Sequence, residues 1–493
     1  MMLPDLLERQ RENDKIAVRQ GGRALSYRAW YEYSRELAER LNDLLGARSR
    51  CVALFLPNSI EYAAAYFGVL FAGRVVVPIG TEVKAPELMS TLAYCEADVL
   101  LCLERSAAVL RESLREYPYR LILLPVDGGE AEILHGERPK VPKTGQPESD
   151  GSPDDVTLLL HTSGTTSDPK RVMLTHRNLL CNVESHCASL GLCADDRVLI
   201  ALPMYFGYCN TAQFLSHLAL GGSMVILDGM FLPKRFFELA QAAEVTNFTA
   251  VPSMLLMLLE YRHAGRYDLG RLHTVCFGGG FMPEGALARL MKRFPAVNFV
   301  QTYGQTEASP RATLLKACDA LRKAGSVGRT IPGVELSVFD ASDHPLPAGS
   351  VGEVVIRGKN VMRGYFKQEA LPRRALRGGW LHTGDMGFLD EEGYLYLAGR
   401  KKNMIISGGI NLYPEEIEEI LLGHPNVCEA RVWGEEHPYL VEAPVASVVL
   451  RKPDDPPDLF AYCEPRLARY KIPVRFEFVK ELPKTYNGKL KRG

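Results

Sequence analysis

From Cys51 to Phe277 the chain keeps returning to one pattern: a short apolar run, a turn, then a stretch of helical periodicity. The apolar runs are Cys51–Leu56, Arg74–Pro78, Val156–Leu160, Arg197–Ala201, Ser223–Leu227, Asn247–Ala250 and Thr274–Phe277. They are short for helices and lack the alternation of one-sided strands, so they read as buried strands. Helical signatures flank them. In Tyr27–Leu45, Leu37, Leu41, Leu44 and Leu45 recur on one face, and Ile60–Phe71 is apolar almost throughout. Strands alternating with helices build a mostly parallel sheet with helices layered on it.

The texture changes twice after that. Glu335–Asp340, Gly352–Arg357 and Gly393–Leu397 are β-rich with Gly and Asp at the turns, which predicts antiparallel pairing. Beyond Gly399-Arg400-Lys401-Lys402 come a helix at Pro414–Leu422 and strands at Glu429–Val432 and Pro444–Leu450. That segment suffices for a separate domain of about ninety residues. The polar, proline-rich stretch from Asp127 to Asp155 is a connecting loop or a boundary between lobes. A chain of 493 residues has room for roughly three domain-sized units, or for a large two-lobed unit plus a small one.

Composition excludes several function classes. Lys and Arg number 58 against 59 Asp and Glu, a formal charge of −1, so no general field attracts nucleic acid or an anionic membrane. Eleven cysteines in this length are too sparse for a disulfide scaffold. The most apolar stretch, Tyr62 to Gly73, is too short to span a bilayer, and Met1–Gln10 has no basic flank before an apolar run. The expectation is a cytoplasmic protein without a membrane span. Cys181, His186, Cys187 and Cys193 lack any C-x-x-C pair and fit no usual zinc pattern, so they read as free thiols and a surface histidine on a helix.

Three clusters carry chemistry. After the strand Val156–Leu160 comes His161-Thr162-Ser163-Gly164-Thr165-Thr166-Ser167-Asp168-Pro169-Lys170. Small hydroxyl residues and a glycine let backbone and side-chain donors surround phosphate oxygens, and Lys170 adds charge. It is not a Walker loop, which needs a second glycine before the lysine. A Ser/Thr-rich turn is the alternative. Gln301-Thr302-Tyr303-Gly304-Gln305-Thr306-Glu307 offers a ring to stack on a base, a donor to a phosphate in Thr306 and a hard oxygen for magnesium in Glu307. Alone it equally suits a polar loop. In Trp380-Leu381-His382-Thr383-Gly384-Asp385 the aspartate can accept from both hydroxyls of a ribose, or merely open a turn.

Together and in this order, these clusters make the chain resemble the adenylate-forming superfamily: acyl- and aryl-CoA ligases, peptide-synthetase adenylation domains and firefly luciferase. The pattern is closest to stand-alone CoA ligases. Thr162–Arg171 matches the phosphate loop, Tyr303–Glu307 the Y-G-x-T-E signature, Thr383–Asp385 the T-G-D signature and Gly399–Lys402 the hinge. The glycine loop Ser407–Asn411 and the closing Pro483–Lys489 complete the match.

The resemblance implies an α/β fold: a large N-terminal domain of layered mixed sheets with helices plus a β-rich subdomain, residues 1–399. A hinge at 400–403 and a small mobile α+β domain at 404–493 follow. It implies two steps. A carboxylate attacks the α-phosphate of ATP to give an acyl-adenylate and pyrophosphate, then a thiol attacks the carbonyl and AMP leaves. By the same resemblance Lys489, with Glu307 and Thr306, is catalytic, and Glu307 holds Mg2+. Thr162, Ser163, Gly164, Thr165, Thr166 and Lys170 handle the outer phosphates. Gly278, Gly279, Gly280 and Tyr303 flank the adenine, Thr302 and Gly304 belong to the same ATP/AMP site, Thr306 takes the α-phosphate, and Asp385 and Arg400 hold the ribose. Lys402 is the hinge, and Gly408 and Gly409 line the thiol channel.

The chain departs from the family at three places. Ser167 and Arg171 replace glycines and are expected to stiffen the phosphate loop. Phe206 stands where many members carry histidine. The acyl pocket is assigned to Phe206, Tyr208, Cys209, Asn210 and Val251, backed by Phe277, Gly278 and Gly279. Met204–Asn210 contains no carboxylate to meet an α-ammonium, so an amino acid is disfavoured and an aryl, short- or medium-chain acid is expected. Asp228 reads as a strand-end turn residue.

The acceptor is a phosphopantetheine thiol, with CoA favoured over a carrier protein. Arg466, Arg469, Lys471 and Arg475 could meet CoA phosphates or an acidic carrier protein, or form a solvated face. Two other functions stay open: an enzyme that stops at the acyl-adenylate, and a non-catalytic binding protein. A homodimer is among the expected assemblies.

Overall fold

The computed structural model describes all residues except 46–49, 135–150, 162–169, 281, 283–284, 369–374, 408–409, 438–439 and 485–493. Thr162, Ser163, Gly164, Thr165, Thr166, Ser167, Gly408, Gly409 and Lys489 therefore lie outside the described residues.

The described strands form three sheets of fourteen, eight and five strands. At the centre of the largest, Ser223–Ile226, Arg197–Ile200, Asn247–Ala250, Thr274–Gly278 and Asn298–Gly304 lie side by side and parallel. The chain starts this set at Arg197–Ile200, steps to one side for Ser223–Ile226, then returns to the other side for Asn247–Ala250. Such a reversal opens a crevice beyond the carboxyl ends of the strands, where α/β sheets bind ligands.

The β-rich segment extends this sheet. Asn298–Gly304 pairs antiparallel with Arg311–Leu315, which pairs with Ser326–Thr330, which pairs in turn with Leu395–Arg400. Trp380–Leu389, Gly352–Gly358 and Val334–Phe339 continue the antiparallel order.

The eight-stranded sheet centres on the parallel strands Val75–Pro78, Cys51–Leu54, Val99–Cys102 and Leu121–Pro125. The stretch from Asp127 to Asp155 contains the strand Glu132–Leu134 and links Leu121–Pro125 to Val156–His161 of the same sheet, so it connects strands rather than lobes.

Helices Tyr27–Leu45, Ile60–Phe71 and His176–Leu190 belong to the main apolar core. Every residue from Ile60 to Leu70 is buried, which explains why this helix lacks a polar face. Its Ser59 side chain accepts from the Tyr62 backbone N–H and caps the first turn. Trp30, Tyr66 and Phe67 close on Phe214 with ring centroids 5.3–6.1 Å apart. Among the described residues no helix is long and apolar enough to cross a membrane.

The five-stranded sheet pairs Ile405–Ser407 with Ile410–Leu412 and with Val441–Leu450, which also pairs with Val427–His437 and Arg475–Phe478. Helix Pro414–Leu422 packs Ile417 and Leu421 into a separate small core with Val432, Ala446 and Val448.

Two expectations need correction. His186 is not on the surface. It is 1% exposed on the inner face of its helix, where burial first and the Arg311 charge next push it well below the ordinary histidine value. Arg171 does not belong to a flexible loop. It opens the strand Arg171–Thr175, is buried, and donates from Nη2 to the Thr91 hydroxyl at 2.8 Å.

Candidate active site

Four of the candidate site segments follow neighbouring parallel strands of the largest sheet. Leu202–Asn210 follows Arg197–Ile200, Val251 follows Asn247–Ala250, Gly279 and Gly280 follow Thr274–Gly278, and Gln305–Glu307 follow Asn298–Gly304. Each parallel strand delivers its next residues to the same edge, which brings together groups up to a hundred residues apart.

Two glycines make the close approaches there. A Cβ at Gly278 would stand 2.3 Å from the Thr302 carbonyl oxygen, and one at Gly304 would stand 1.8 Å from that of Pro310. Gly279 has φ +76° and open space where a side chain would go, and Gly280 lies against the Pro252 ring beside Val251. Gly278, Gly279 and Gly280 therefore present bare backbone at the strand end, which leaves room for a planar group.

Beside them Tyr303 donates to Asp385 Oδ2 at 2.7 Å, and Arg400 Nε lies 2.6 Å from Asp385 Oδ1. Asp385 sits inside the strand Trp380–Leu389, in register with Arg400 on the neighbouring strand, so it is no turn residue. Burial raises its carboxyl pKa, and Arg400 and Tyr303 work against that.

Glu307 has a parallel arrangement. Tyr365 donates to its Oε1 at 2.9 Å, and Lys170 Nζ lies 5.4 Å from the centre of the Tyr365 ring. Part of the Glu307 surface stays open while protein crowds its other sides. This burial raises its pKa, and the hydrogen bonds from its own backbone N–H and from Tyr365, with the charges of Arg400 and Lys170, offset it only in part.

Glu307 fits magnesium. Among the described residues no group of three or more His, Cys, Asp or Glu is arranged for a metal. Mg2+ characteristically takes one or two carboxylates and completes its shell with substrate phosphates and water. A lone, partly desolvated carboxylate beside a lysine suits that role. When bound, the ion would neutralise phosphate charge.

The raised pKa of Glu307 has a testable sign. Between the ordinary glutamate value, about 4.3, and its raised value, the folded protein holds a proton that the unfolded chain has lost. Stability therefore falls as pH rises through that window. Asp385 contributes with the same sign. The melting temperature of the ligand-free protein is expected to drop more for wild type than for Glu307→Gln between about pH 4.5 and about pH 7. Parallel curves would remove the penalty assigned to Glu307.

The acyl-wall residues divide. A Cβ on Gly207 would lie 3.8 Å from Thr306 Cγ2, so the Phe206–Tyr208 segment runs alongside Thr306. Phe206 packs on Tyr205 with ring centroids 4.6 Å apart. Thr302 donates to the Phe277 carbonyl, so the Tyr208 hydroxyl, 2.9 Å from Thr302 Oγ1, must donate to it. Burial pushes that hydroxyl up to about 12. Cys209 and Asn210 are fully buried, and Asn210 Oδ1 lies 3.5 Å from the Tyr66 hydroxyl in the core. They back the wall rather than face an opening. Asp228 accepts from Gln20 Nε2 at 2.7 Å, in keeping with a strand-end role.

The basic residues near the end are partly engaged. Lys471 pairs with Glu416, Arg475 with Glu435 and Glu477, and Arg466 stacks 4.0 Å over Tyr462.

Sequence reasoning missed Tyr365 and Gln305. Tyr365 lies in the two-residue strand Gly364–Tyr365, whose pairing with Val172 and Met173 brings it to Glu307. Its only local signal is a Gly-Tyr pair after a polar turn. Gln305 Nε2 comes within 3.5 Å of both the Thr383 carbonyl and Asp385 Oδ2.

Comparison with known proteins agrees with this geometry. The family described as AMP-binding enzyme matches residues 7–366, and the AMP-binding enzyme C-terminal domain matches 416–489. The chain is 35% identical over 482 residues to a feruloyl-CoA synthase from an Amycolatopsis species, covering 97% of this chain and 94% of that one. It is 34% identical over 491 residues to an indoleacetate–CoA ligase from Aromatoleum aromaticum, covering 98% and 94%. The structure of o-succinylbenzoate CoA synthetase from Bacillus subtilis with its acyl-adenylate intermediate superimposes with a TM-score of 0.87 at 28% identity, covering 100% of this chain and 97% of that one. The chain belongs to the AMP-binding enzyme family, the adenylate-forming superfamily, within its AMP-forming acid–CoA ligases.

Proposed function

We propose that this protein joins an aryl, short-chain or medium-chain carboxylic acid to CoA at the expense of ATP. The observation that carries the reading is the meeting of Tyr303–Asp385–Arg400 with Glu307–Tyr365–Lys170 around the carboxyl end of the strand Asn298–Gly304.

In the first step a carboxylate oxygen bonds to the α-phosphorus and the bond to the β-phosphate bridge breaks, releasing pyrophosphate. In the second, the thiol sulfur bonds to the acyl carbon, the bond to AMP breaks, and the thiol proton passes to solvent. Gly278–Gly280 and Tyr303 flank the adenine, and Asp385 accepts from the ribose hydroxyls with Arg400 holding its second oxygen. Glu307 would hold Mg2+, and Thr306 and Lys170 would meet the phosphates with the loop at 162–169. Tyr208, Phe206 and Val251 would wall the acid.

The division into residues 1–399, a hinge at 400–403 and a domain at 404–493 belongs to this proposal. Its support is that Leu395–Arg400 ends the strand paired to Asp385, and Ile405–Ser407 already belongs to the small sheet. Only the turn Lys401–Asn403 and Met404 intervene.

Pyrophosphate release over a panel of acids, with and without CoA, tests the reading. Thioester with CoA supports it, release without thioester indicates an enzyme that stops at the adenylate or loads a carrier protein, and no release from any acid defeats it. Within this frame, Asp385→Ala is expected to raise the KM for ATP by about 10–100-fold, since hydrogen bonds to a charged group contribute roughly 1.5–3 kcal/mol. An unchanged ATP dependence in a folded variant would take Asp385 out of the site.

A further inference from the structure

Arg311 is a buried cation with an unmet need. It opens the strand Arg311–Leu315 and is 2% exposed, yet Nη1 and Nη2 have no hydrogen-bond partner, and among the described residues no carboxylate pairs with it. An arginine stays protonated at any accessible pH, so it cannot escape burial by losing its charge. Buried charges are kept where something compensates them.

The neighbours do not compensate. The guanidinium carbon lies 5.5 Å from the centre of the Tyr208 ring, a cation–π contact of modest strength. The Cys276 thiol beside it is raised by burial more than the guanidinium lowers it, so it remains a neutral thiol. His186 is also neutral, and its Nδ1 is another buried atom without a partner. Arg311 is held in place by its backbone: its N–H donates to Asn182 Oδ1 at 3.3 Å and its carbonyl accepts from Asn182 Nδ2 at 2.8 Å.

The position ties this charge to the acid. Tyr208, whose hydroxyl reaches Thr302, is assigned to the acyl wall, and the guanidinium lies over that ring and beside Cys276. We propose that Arg311 is a specificity residue: it receives a second anionic group, a carboxylate or sulfonate, at the far end of the acid being activated. This rests on the ligase reading and narrows its substrate to acids with an anion at each end. A planar carboxylate could accept from both unpartnered nitrogens at once. A neutral acid of the same length would leave the cation uncompensated, and a site built to pair a group rejects the analogue that lacks it.

The test uses matched acids: hexanoate against adipate, 4-methylbenzoate against terephthalate, and 3-phenylpropanoate against 3-(4-carboxyphenyl)propanoate. Pyrophosphate release is measured with wild type, Arg311→Met and Arg311→Lys. In at least one pair the diacid is expected to exceed its neutral partner in kcat/KM by about 10²-fold in wild type, the size of a charge-assisted hydrogen-bonded pair. Arg311→Met should level or invert that preference, and Arg311→Lys should keep part of it.

Neutral acids matching or exceeding their diacids in every pair would overturn the proposal, as would an Arg311→Met variant that loses both members of a pair equally while melting like wild type. If neither variant folds, the wild-type pairs alone decide. If no acid releases pyrophosphate, the ligase reading has failed. The anion site is then decided by thermal shift of the nucleotide-free wild type with each acid: stabilisation by diacids alone supports it, and none contradicts it.

Discussion

Lys489→Ala is expected to slow acyl-adenylate formation by about 10²–10³-fold and to leave thioester formation from supplied acyl-adenylate near the wild-type rate. Adenylation brings two anions into contact, the substrate carboxylate and the α-phosphate. A cation between them offsets their repulsion and carries charge developing on the phosphate oxygens. Thioester formation brings a thiol to an already neutral mixed anhydride and makes no such demand. The lysine comes from the closing Pro483–Lys489 motif, and the AMP-binding enzyme C-terminal domain extends through residue 489. Assaying the two half-reactions separately checks the expectation. Equal losses in both would assign Lys489 to folding or to general substrate binding.

The second large effect concerns the hinge. Lys402→Pro should leave adenylation near normal and collapse thioester formation. Lys402 sits in the tight turn Lys401–Asn403, between the strand that carries Arg400 and the first strand of the small sheet. Within this turn Lys401, half exposed, places Nζ 2.9 Å from the buried Glu353. Proline fixes φ near −65° and removes a backbone donor, which would lock the proposed pivot. A melting temperature measured alongside separates locking from unfolding. A folded variant that makes thioester as fast as wild type would show that the small domain need not turn.

The parallel half of the fold was legible because its strands are buried on both faces and interrupted by helices. There Asn247–Ala250 and Ile60–Phe71 have the bounds their patterns predict, as does Pro414–Leu422 on the small sheet. Strand ends set by long-range pairing were not legible. Gly393–Leu397 was displaced to Leu395–Arg400, because pairing with Gly387–Leu389 and Asp385 determines where it begins and ends. Glu429–Val432 became Val427–His437, since its partner Val441–Leu450 carries the pairing on past any local signal.

For the site, local motifs named the residues that follow strand ends. They could not name Tyr365, which reaches Glu307 only through a short strand far along the chain. Nor could they find Arg311. Only tertiary packing buries it, as it buries His186, which the sequence pattern placed on the surface.

The central claim is that a carboxylate oxygen attacks the α-phosphorus of ATP. Isotope transfer tests it most directly. An accepted acid labelled with 18O in both carboxyl oxygens is turned over with ATP and CoA, and the nucleotide and phosphate products are weighed by mass spectrometry. The predicted result is AMP carrying one 18O per thioester formed, with unlabelled pyrophosphate. Label in inorganic phosphate with ADP as the nucleotide product, or AMP without label, would contradict it.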